Sequence, residues 1–375
     1  MEKGLNQMKT KKPFKIQQNI IMLFATVVLY GVFTLVNPNL TDKYMILSMI
    51  QSFAPYAVMG LGVTFVIATG GIDLSLGTVC IASAVLAGKL YTTGIIPLWA
   101  TIPVMMAIGT LCGFLNGMMV AKLKIPAFIA TLGTMMVSRG LSALIAEVPN
   151  IFFPTGKWYN KTFSSLSFEI CPDRWFDNIE PLDRVFNNIR PISVSAIPIG
   201  LFWVIGLMLI CMYLMYKNKI GRYILAIGSN EEATRLSGIN TDNYKIFAYT
   251  FAGLFCGIAA IFYSAAFPTI SCATGNGMEL DAIAGVYIGG TSSAGGVASV
   301  SGSVIGAMLL VVIRSGLNMV LAKLGVSLNS TYVTYVLTGV IVVVAILMDI
   351  IKTNNQNKVK IEKVEEAAKA EAPKA

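Results

Sequence analysis

The chain has 375 residues, of which 55% are hydrophobic and only 13% charged, about half the charged share of roughly 25% found in soluble domains. With a mean hydropathy of +0.70 it lacks the polar residues to cover a water-facing surface. That excludes a cytoplasmic enzyme, a secreted disulfide scaffold and a nucleic-acid binder, and it assigns the net charge of +9 to Lys and Arg gathered in loops on one side of a membrane.

Apolar runs that suit a helix across a bilayer core, about 20 residues, fall at 17–36, 45–68, 76–93, 96–121, 126–146, 195–216, 244–267, 301–321 and 331–351. A tenth, at 278–290, is too short to cross and reads as a half-span or part of a re-entrant element. The expectation is an all-α, polytopic membrane protein of about ten segments in two pseudo-repeated halves. A tail over 1–16 precedes a transmembrane domain over 17–351, and a polar tail follows over 352–375. The first run comes after Lys3, Lys9, Lys11, Lys12 and Lys15. It is longer than a signal h-region and has no clear small-residue cleavage site, so it reads as a retained helix.

Basic residues set the orientation. With the N-terminus inside, eighteen fall on the inner side: the N-terminal lysines, Lys122 and Lys124, the set Lys217, Lys219, Arg222, Arg235 and Lys245, and the C-terminal lysines. Eight fall outside: Lys43, Lys89, Lys157, Lys161, Arg174, Arg184, Arg190 and Lys323. Both termini are expected in the cytoplasm. Five of the outer eight lie in 147–194, whose acids nearly cancel them and which carries Trp158, Tyr159 and Trp175. It reads as a folded external insertion.

Chemistry is sparse. There is no histidine, which removes the commonest general base and metal ligand. The six cysteines (Cys80, Cys112, Cys171, Cys211, Cys256, Cys272) contain no CxxC spacing. No GxxxxGK[ST] occurs, so any nucleotide site belongs to another chain. No catalytic residue, cofactor or metal is expected.

Three segments interrupt the pattern. TGGIDLSLG over 69–77 puts paired glycines and an acid into an apolar stretch. Backbone that leaves the helix at membrane depth must line a cavity or be buried in protein, so Gly70, Gly71, Asp73, Ser75 and Gly77 are candidate wall residues of a translocation pathway. Asp73 and Ser75 are also good helix caps, and the two roles are compatible. The second interruption, Gly275 to Gly296, contains Asp281-x-x-x-Gly285, which echoes Asp73-x-x-x-Gly77. Broken helices in matching positions mark many transport folds, which adds Glu279, Asp281, Gly289, Gly290 and Thr291 to the pathway candidates. Arg139 and Arg314, both within spans, are candidate partners for the acids, one pair in each half. The third segment is the inner loop 217–243. An Asn cap, Glu231 and Glu232 in a first turn, Arg235 four residues after Glu231 and Gly238 as a stop describe a short exposed helix. A capped helix protruding on the cytoplasmic face is a docking element. Glycines spaced by four (Gly109, Gly113, Gly117; Gly253, Gly257; Gly302, Gly306) are packing faces that let helices approach closely.

IATGGIDLSLG, IPAFIATLGTMMVSRGL, GRYILAIGSNEEATRLSGIN and MELDAIAGVYIGGTSSAGGVASVSGSVIGA together resemble the permeases of bacterial monosaccharide ABC importers, the ribose, galactose and xylose group, with the ribose members nearest. The similarity runs from about 50 to 350. The resemblance implies a multi-pass cell-membrane permease, homodimeric, that receives sugar from an extracytoplasmic binding protein and couples to a two-headed cytoplasmic ABC ATPase. It places the coupling helix at 231–238, with Glu231, Glu232, Ala233, Arg235 and Gly238. Glu232 stands where the family's loop has alanine, and the insertion 147–194 is longer than in ribose members. The alternative, an ion-coupled secondary sugar carrier, needs a mid-membrane ion site, for which Asp73 and Asp281 are the available acids.

Overall fold

The computed structural model describes residues 18–146, 150–154, 199–267, 269–271, 274, 275, 277–323 and single positions between 333 and 347, which are helical. The tails 1–16 and 352–375, most of the insertion 147–194, Cys171 and Cys272 lie outside the described residues, as does most of the run 331–351. In chain order the elements are α1 (Gln18–Val36), α2 (Lys43–Ala68), α3 (Leu76–Thr92), α4 (Thr101–Ala121), α5 (Ala127–Ala146), β1 (Asn150–Phe152), α6 (Ile199–Met212), α7 (Lys219–Ser229), α8 (Glu231–Leu236), α9 (Thr241–Ala266), β2 (Thr269–Ser271), α10 (Met278–Ile288) and α11 (Val300–Lys323). Among the described residues seven helices are long and apolar enough to cross a membrane, so the protein is an all-α polytopic membrane protein.

Two of those helices form the centre. Inside the protein, 78% of the α2 span and 67% of the α9 span are buried, against 11% for α1. An apolar helix gains nothing by leaving lipid for another apolar helix, so close backbone packing has to hold such a pair. At the α2–α9 seam a Cβ on Gly62 would lie 2.6 Å from Phe255 Cβ and 3.1 Å from Ala252 Cα. The rings of Phe65 and Phe251, and of Phe251 and Phe255, pack with centroids 4.6 Å apart. The glycine faces expected from the sequence are used in the same way. Gly109 and Gly113 of α4 lie against the backbone of Gly253 and Gly257 of α9, and Gly285 and Gly289 of α10 lie against Gly306 and Gly302 of α11.

Hydrogen bonds identify which helix ends lie together. At one end Asn37 Nδ2 donates to the Met319 carbonyl (3.1 Å) and Lys323 Nζ to the Val36 carbonyl (2.6 Å), which joins α1 and α11. Lys89 Nζ donates to the Ala146 carbonyl (2.9 Å), joining α3 and α5. Lys89 and Lys323 thus satisfy open carbonyls at the negative ends of neighbouring helices, which gives two of the eight basic residues counted outside a packing role. The antiparallel pair β1–β2, with Ile151 opposite Ile270, lies by α3, its Ile151 side chain against Gly88. At the other end Asn19 bonds Ser299 and Ser301, and Lys124 bonds Asp242.

Two regions differ from the sequence reading. Before the expected helix α8 there is a second short helix, α7, capped by Asn218, whose side chain accepts from Ile220 N. Its stripe of Ile220, Ile224 and Ile227 turns toward the protein, with Ile224 and Ile227 buried. Ahead of it α6 ends in a π-helical turn, Tyr213–Lys217.

Candidate functional site

α2 ends through a Schellman motif. The Gly70 amide donates to the Ile67 carbonyl (2.9 Å) and the Gly71 amide to Val66 (3.2 Å), with Gly70 at φ +79°, the left-handed position that favours glycine. α10 ends in the same way: Gly290 donates to Tyr287 (3.0 Å), Thr291 to Val286 (3.3 Å), and Gly290 sits at φ +92°. Gly71 needs glycine for space instead, since a Cβ there would lie 2.6 Å from the Tyr249 hydroxyl, which donates to the Ile72 carbonyl (3.2 Å).

Beyond this cap the chain runs extended to the start of α3, and its acid turns inward. Asp73 is buried, and its Oδ1 accepts from the Ser75 amide (2.9 Å) and the Ser75 hydroxyl (2.6 Å). Ser75 occupies the N-cap position of α3 but makes no side-chain cap bond; its oxygen accepts from Asn116 Nδ2 of α4 (2.9 Å) instead. Asn116 Oδ1 accepts from Thr134 of α5 (2.5 Å). A second polar contact joins α5 to α3, Ser138 to Thr78 at 3.3 Å. This chain of hydrogen bonds, Asp73–Ser75–Asn116–Thr134, satisfies every member, as buried polar groups require.

The second broken element meets the first here. A Cβ on Gly77 would collide with Glu279 Oε2 and lie 2.8 Å from the Gly275 carbonyl. The N-termini of α3 and α10 therefore converge. α10 has 11 residues, about 16 Å of helix, which is half a bilayer core of roughly 30 Å. Its C-terminal cap packs on the start of α11 at the Asn19 end, so its first turn, with Glu279, is the end directed away from Asn19. Gly277, at φ +83°, precedes that turn, and its amide donates to Glu279 Oε1 (3.3 Å). Asp281 lies on a different side of α10. Both its oxygens accept from Arg314 Nη2 (2.7 Å each), and Arg314 Nη1 donates to the Tyr56 hydroxyl (3.3 Å), tying α10, α11 and α2 together.

The short helix α8 forms as its sequence expects. Asn230 Oδ1 accepts from Ala233 N (2.9 Å), and Gly238, at φ +81°, donates to the Arg235 carbonyl (2.9 Å). The orientation of Glu231 is new. Its carboxylate accepts from Lys245 Nζ of α9 (2.5 Å) and from Arg235 (3.2 Å). Partial burial works to raise this carboxyl, but the Lys245 hydrogen bond and the charges of Lys245, Arg235 and Lys124 outweigh it and hold the group below its ordinary value. Asp242 pairs with Lys124 (2.7 Å) and Lys122 (3.7 Å). Glu231 thus fastens α8 to α9, while Glu232, Ala233 and Leu236 (85% exposed) face outward. Behind α8, three breaks touch: Gly228 of α7 abuts the Ala68 carbonyl, and the Gly296 amide donates to that carbonyl (3.0 Å). Tyr216 of the π-turn donates to Ala298 (3.1 Å) and accepts from the Val300 amide (3.1 Å).

Of the sequence candidates, Asp73, Ser75, Gly77 and Glu279 come together. Gly70 contacts the loop through Gly295, whereas Gly289, Gly290 and Thr291 build the α10 cap and Asp281 belongs to the Arg314 pair. The Asp73–Arg139 pair expected for the first half is absent: Asp73 is taken by Ser75, and Arg139 Nε has no hydrogen-bond partner. Sequence reading missed Asn116, Thr134, Thr78 and Ser138. The buried Thr131, Ser138 and Ser142 recur at helical spacing on α5, a signal that points to Ser138 alone.

Residues 45–346 match the family described as branched-chain amino acid transport system / permease component. The chain is similar to the ribose import permease protein of Haemophilus influenzae, 32% identical over 337 residues that cover 90% of this chain and 94% of the relative. It is 34% identical over 328 residues to the ribose import permease protein of Escherichia coli K12, covering 87% and 92%. To the autoinducer 2 import system permease protein of Photorhabdus luminescens it is 30% identical over 331 residues, covering 87% and 90%. No solved structure matches the chain.

Proposed function

Because the chain belongs to the branched-chain amino acid transport system / permease component family, we infer that it is the membrane-spanning permease subunit of an ATP-driven importer and forms the path of a monosaccharide of the ribose class. The observation that carries the substrate class is similarity over nearly the whole length of the ribose import permeases. The protein is not itself an enzyme on this reading. ATP is hydrolysed by a separate two-headed cytoplasmic ATPase, in keeping with a sequence that has no GxxxxGK[ST], and an extracytoplasmic binding protein delivers the sugar.

The finer assignments rest on geometry. The pathway runs past the converging breaks, with Gly70, Gly71, Asp73, Ser75, Gly77 and Glu279 along it, and with Asp281, Gly289, Gly290 and Thr291 holding the second break in shape. The coupling element is α8, with Glu232, Ala233, Arg235 and Leu236 turned outward and Glu231 and Gly238 fixing its position. The membrane domain makes about ten crossings in two pseudo-repeated halves, supported by the paired Schellman caps at Gly70 and Gly290. Both termini are cytoplasmic, supported by the basic-residue bias and by Asn19 lying at the α8 end. Two copies of the chain make one importer.

The test is reconstitution. The chain, its ATPase and its binding protein in liposomes should import ribose only with ATP inside, and sugar-loaded binding protein should stimulate hydrolysis. Uptake by vesicles that hold this chain alone, driven by an ion gradient, would overturn the assignment.

A further inference from the structure

We propose that Arg139 Nε and Glu279 Oε2 together form a binding point for a hydroxyl group of the transported sugar; the proposal rests on the permease reading above. Among the described residues these are the only two buried side-chain polar atoms without a hydrogen-bond partner. Every buried polar group around them is satisfied: Asp73 by Ser75, Ser75 by Asn116, Asn116 by Thr134, Thr78 by Ser138 and Asp281 by Arg314. In a neighbourhood so fully paired, two orphans mark a place where something else supplies the bonds.

The orphans lie on different elements, α5 and α10, both of which pack on the first turn of α3. Glu279 Oε2 lies against Gly77, and the next residue, Thr78, bonds Ser138, the neighbour of Arg139. No hydrogen bond joins Arg139 Nε to Glu279 Oε2. Glu279 is 7% exposed. The missing partners are complementary, because Nε can only donate and a carboxylate oxygen can only accept. A cation would satisfy the oxygen and be repelled by the guanidinium, and an anion would do the reverse. A hydroxyl accepts with its lone pairs and donates its proton, so it serves both atoms while carrying no charge. That is the group a monosaccharide carries on nearly every carbon, and a neutral contact of this kind holds a sugar without trapping it.

The test uses the complete importer in liposomes with D-ribose and its monodeoxy derivatives, comparing wild type with Glu279→Gln and Arg139→Lys. Wild type should import one deoxyribose with a KM roughly tenfold above that for ribose, the derivative that lacks the bound hydroxyl. Both variants should raise the KM for ribose to a similar degree and cost nothing further with that one derivative. Arg139→Lys keeps the charge while removing the guanidinium donors, Nε among them, and so gives a second readout where Glu279→Gln lowers protein yield. Variants that slow ribose and every deoxy derivative equally, as a bound water or a purely structural role requires, overturn the proposal. So do variants that leave every KM unchanged. Wild-type vesicles that show no ATP-dependent sugar uptake would instead bring down the permease reading itself.

Discussion

The glycine seam between α4 and α9 makes a quantitative prediction. A Cβ at Gly253 would collide with the Gly109 carbonyl oxygen and lie 2.8 Å from both the Cα and the N of Gly113, about 0.7 Å inside a carbon contact of roughly 3.5 Å. The atoms in the way are backbone, so no rotamer change relieves them and α4 must move away as a whole. Overpacking of this kind costs about 1–3 kcal/mol. Alanine also gains about 0.5–1 kcal/mol over glycine in a helix interior, and a control removes that gain from the comparison. A Cβ at Gly206 of α6 would meet nothing within 4 Å, so Gly206→Ala should receive the helix gain alone. Gly253→Ala is therefore expected to be less stable than Gly206→Ala by about 1–3 kcal/mol, and at or below wild type. Thermal unfolding of both variants in one detergent, followed by tryptophan fluorescence and size-exclusion recovery, measures the difference. Equal stability of the two would refute backbone-to-backbone packing as the basis of the α4–α9 contact.

Asparagine keeps the oxygen that accepts both Ser75 bonds, so Asp73→Asn should transport nearly as well as wild type; Asp73→Ala strands the Ser75 amide and should lose about 1–3 kcal/mol of stability, read as a lower unfolding temperature. Strong transport loss in a well-folded Asp73→Asn would mean that the charge itself is used. Because Glu231 is held below its ordinary value, folding favours its charged form. The fastening of α8 to α9 should then be constant from pH 8 to about 5 and be lost only as pH falls through the lowered value; a fluorophore at Ser237 reports it, and loosening near pH 7 would contradict the Lys245 contact. For topology, a cysteine at exposed Ser237 should react only with reagents on the cytoplasmic side and one at exposed Thr93 only from outside, the reverse pattern rejecting the orientation.

What sequence conveyed and what it withheld divide along physical lines. Span positions follow from length and apolarity, which is why α2, α5 and α9 lie within a few residues of the expected runs. Glycine breaks and α8 were legible because their signals are local: a left-handed glycine, an Asn cap, an Asp beside a Ser. Pairing was not. Asp73 lies 66 residues before Arg139 and 43 before Asn116, and nothing in a single chain says which one it meets, so the echoed Asp-x-x-x-Gly motifs carried different contacts. Asp281 has its arginine, whereas Asp73 has a serine. Glu231 shows the same limit from another direction. Its i,i+4 relation to Arg235 was readable, but Lys245 reaches it only because α9 folds back beneath α8. α7 was hidden by its length and by the π-turn ahead of it, which blurs the boundary between a span and the short helix that follows.

The burial of α2 has a consequence for how the protein is made. This helix enters the membrane early, yet the surface that covers Gly62 and Phe65 is α9, which ends at Ala266. At roughly 5–20 residues per second, the stretch of about 200 residues between them takes on the order of 10–40 s to synthesise. Throughout that interval the future centre of the protein stands in lipid with its glycine notch unfilled, open to any other helix that fits. Yield then depends on the pace of translation between residues 69 and 241, and on whether an insertase shelters α2 until α9 arrives.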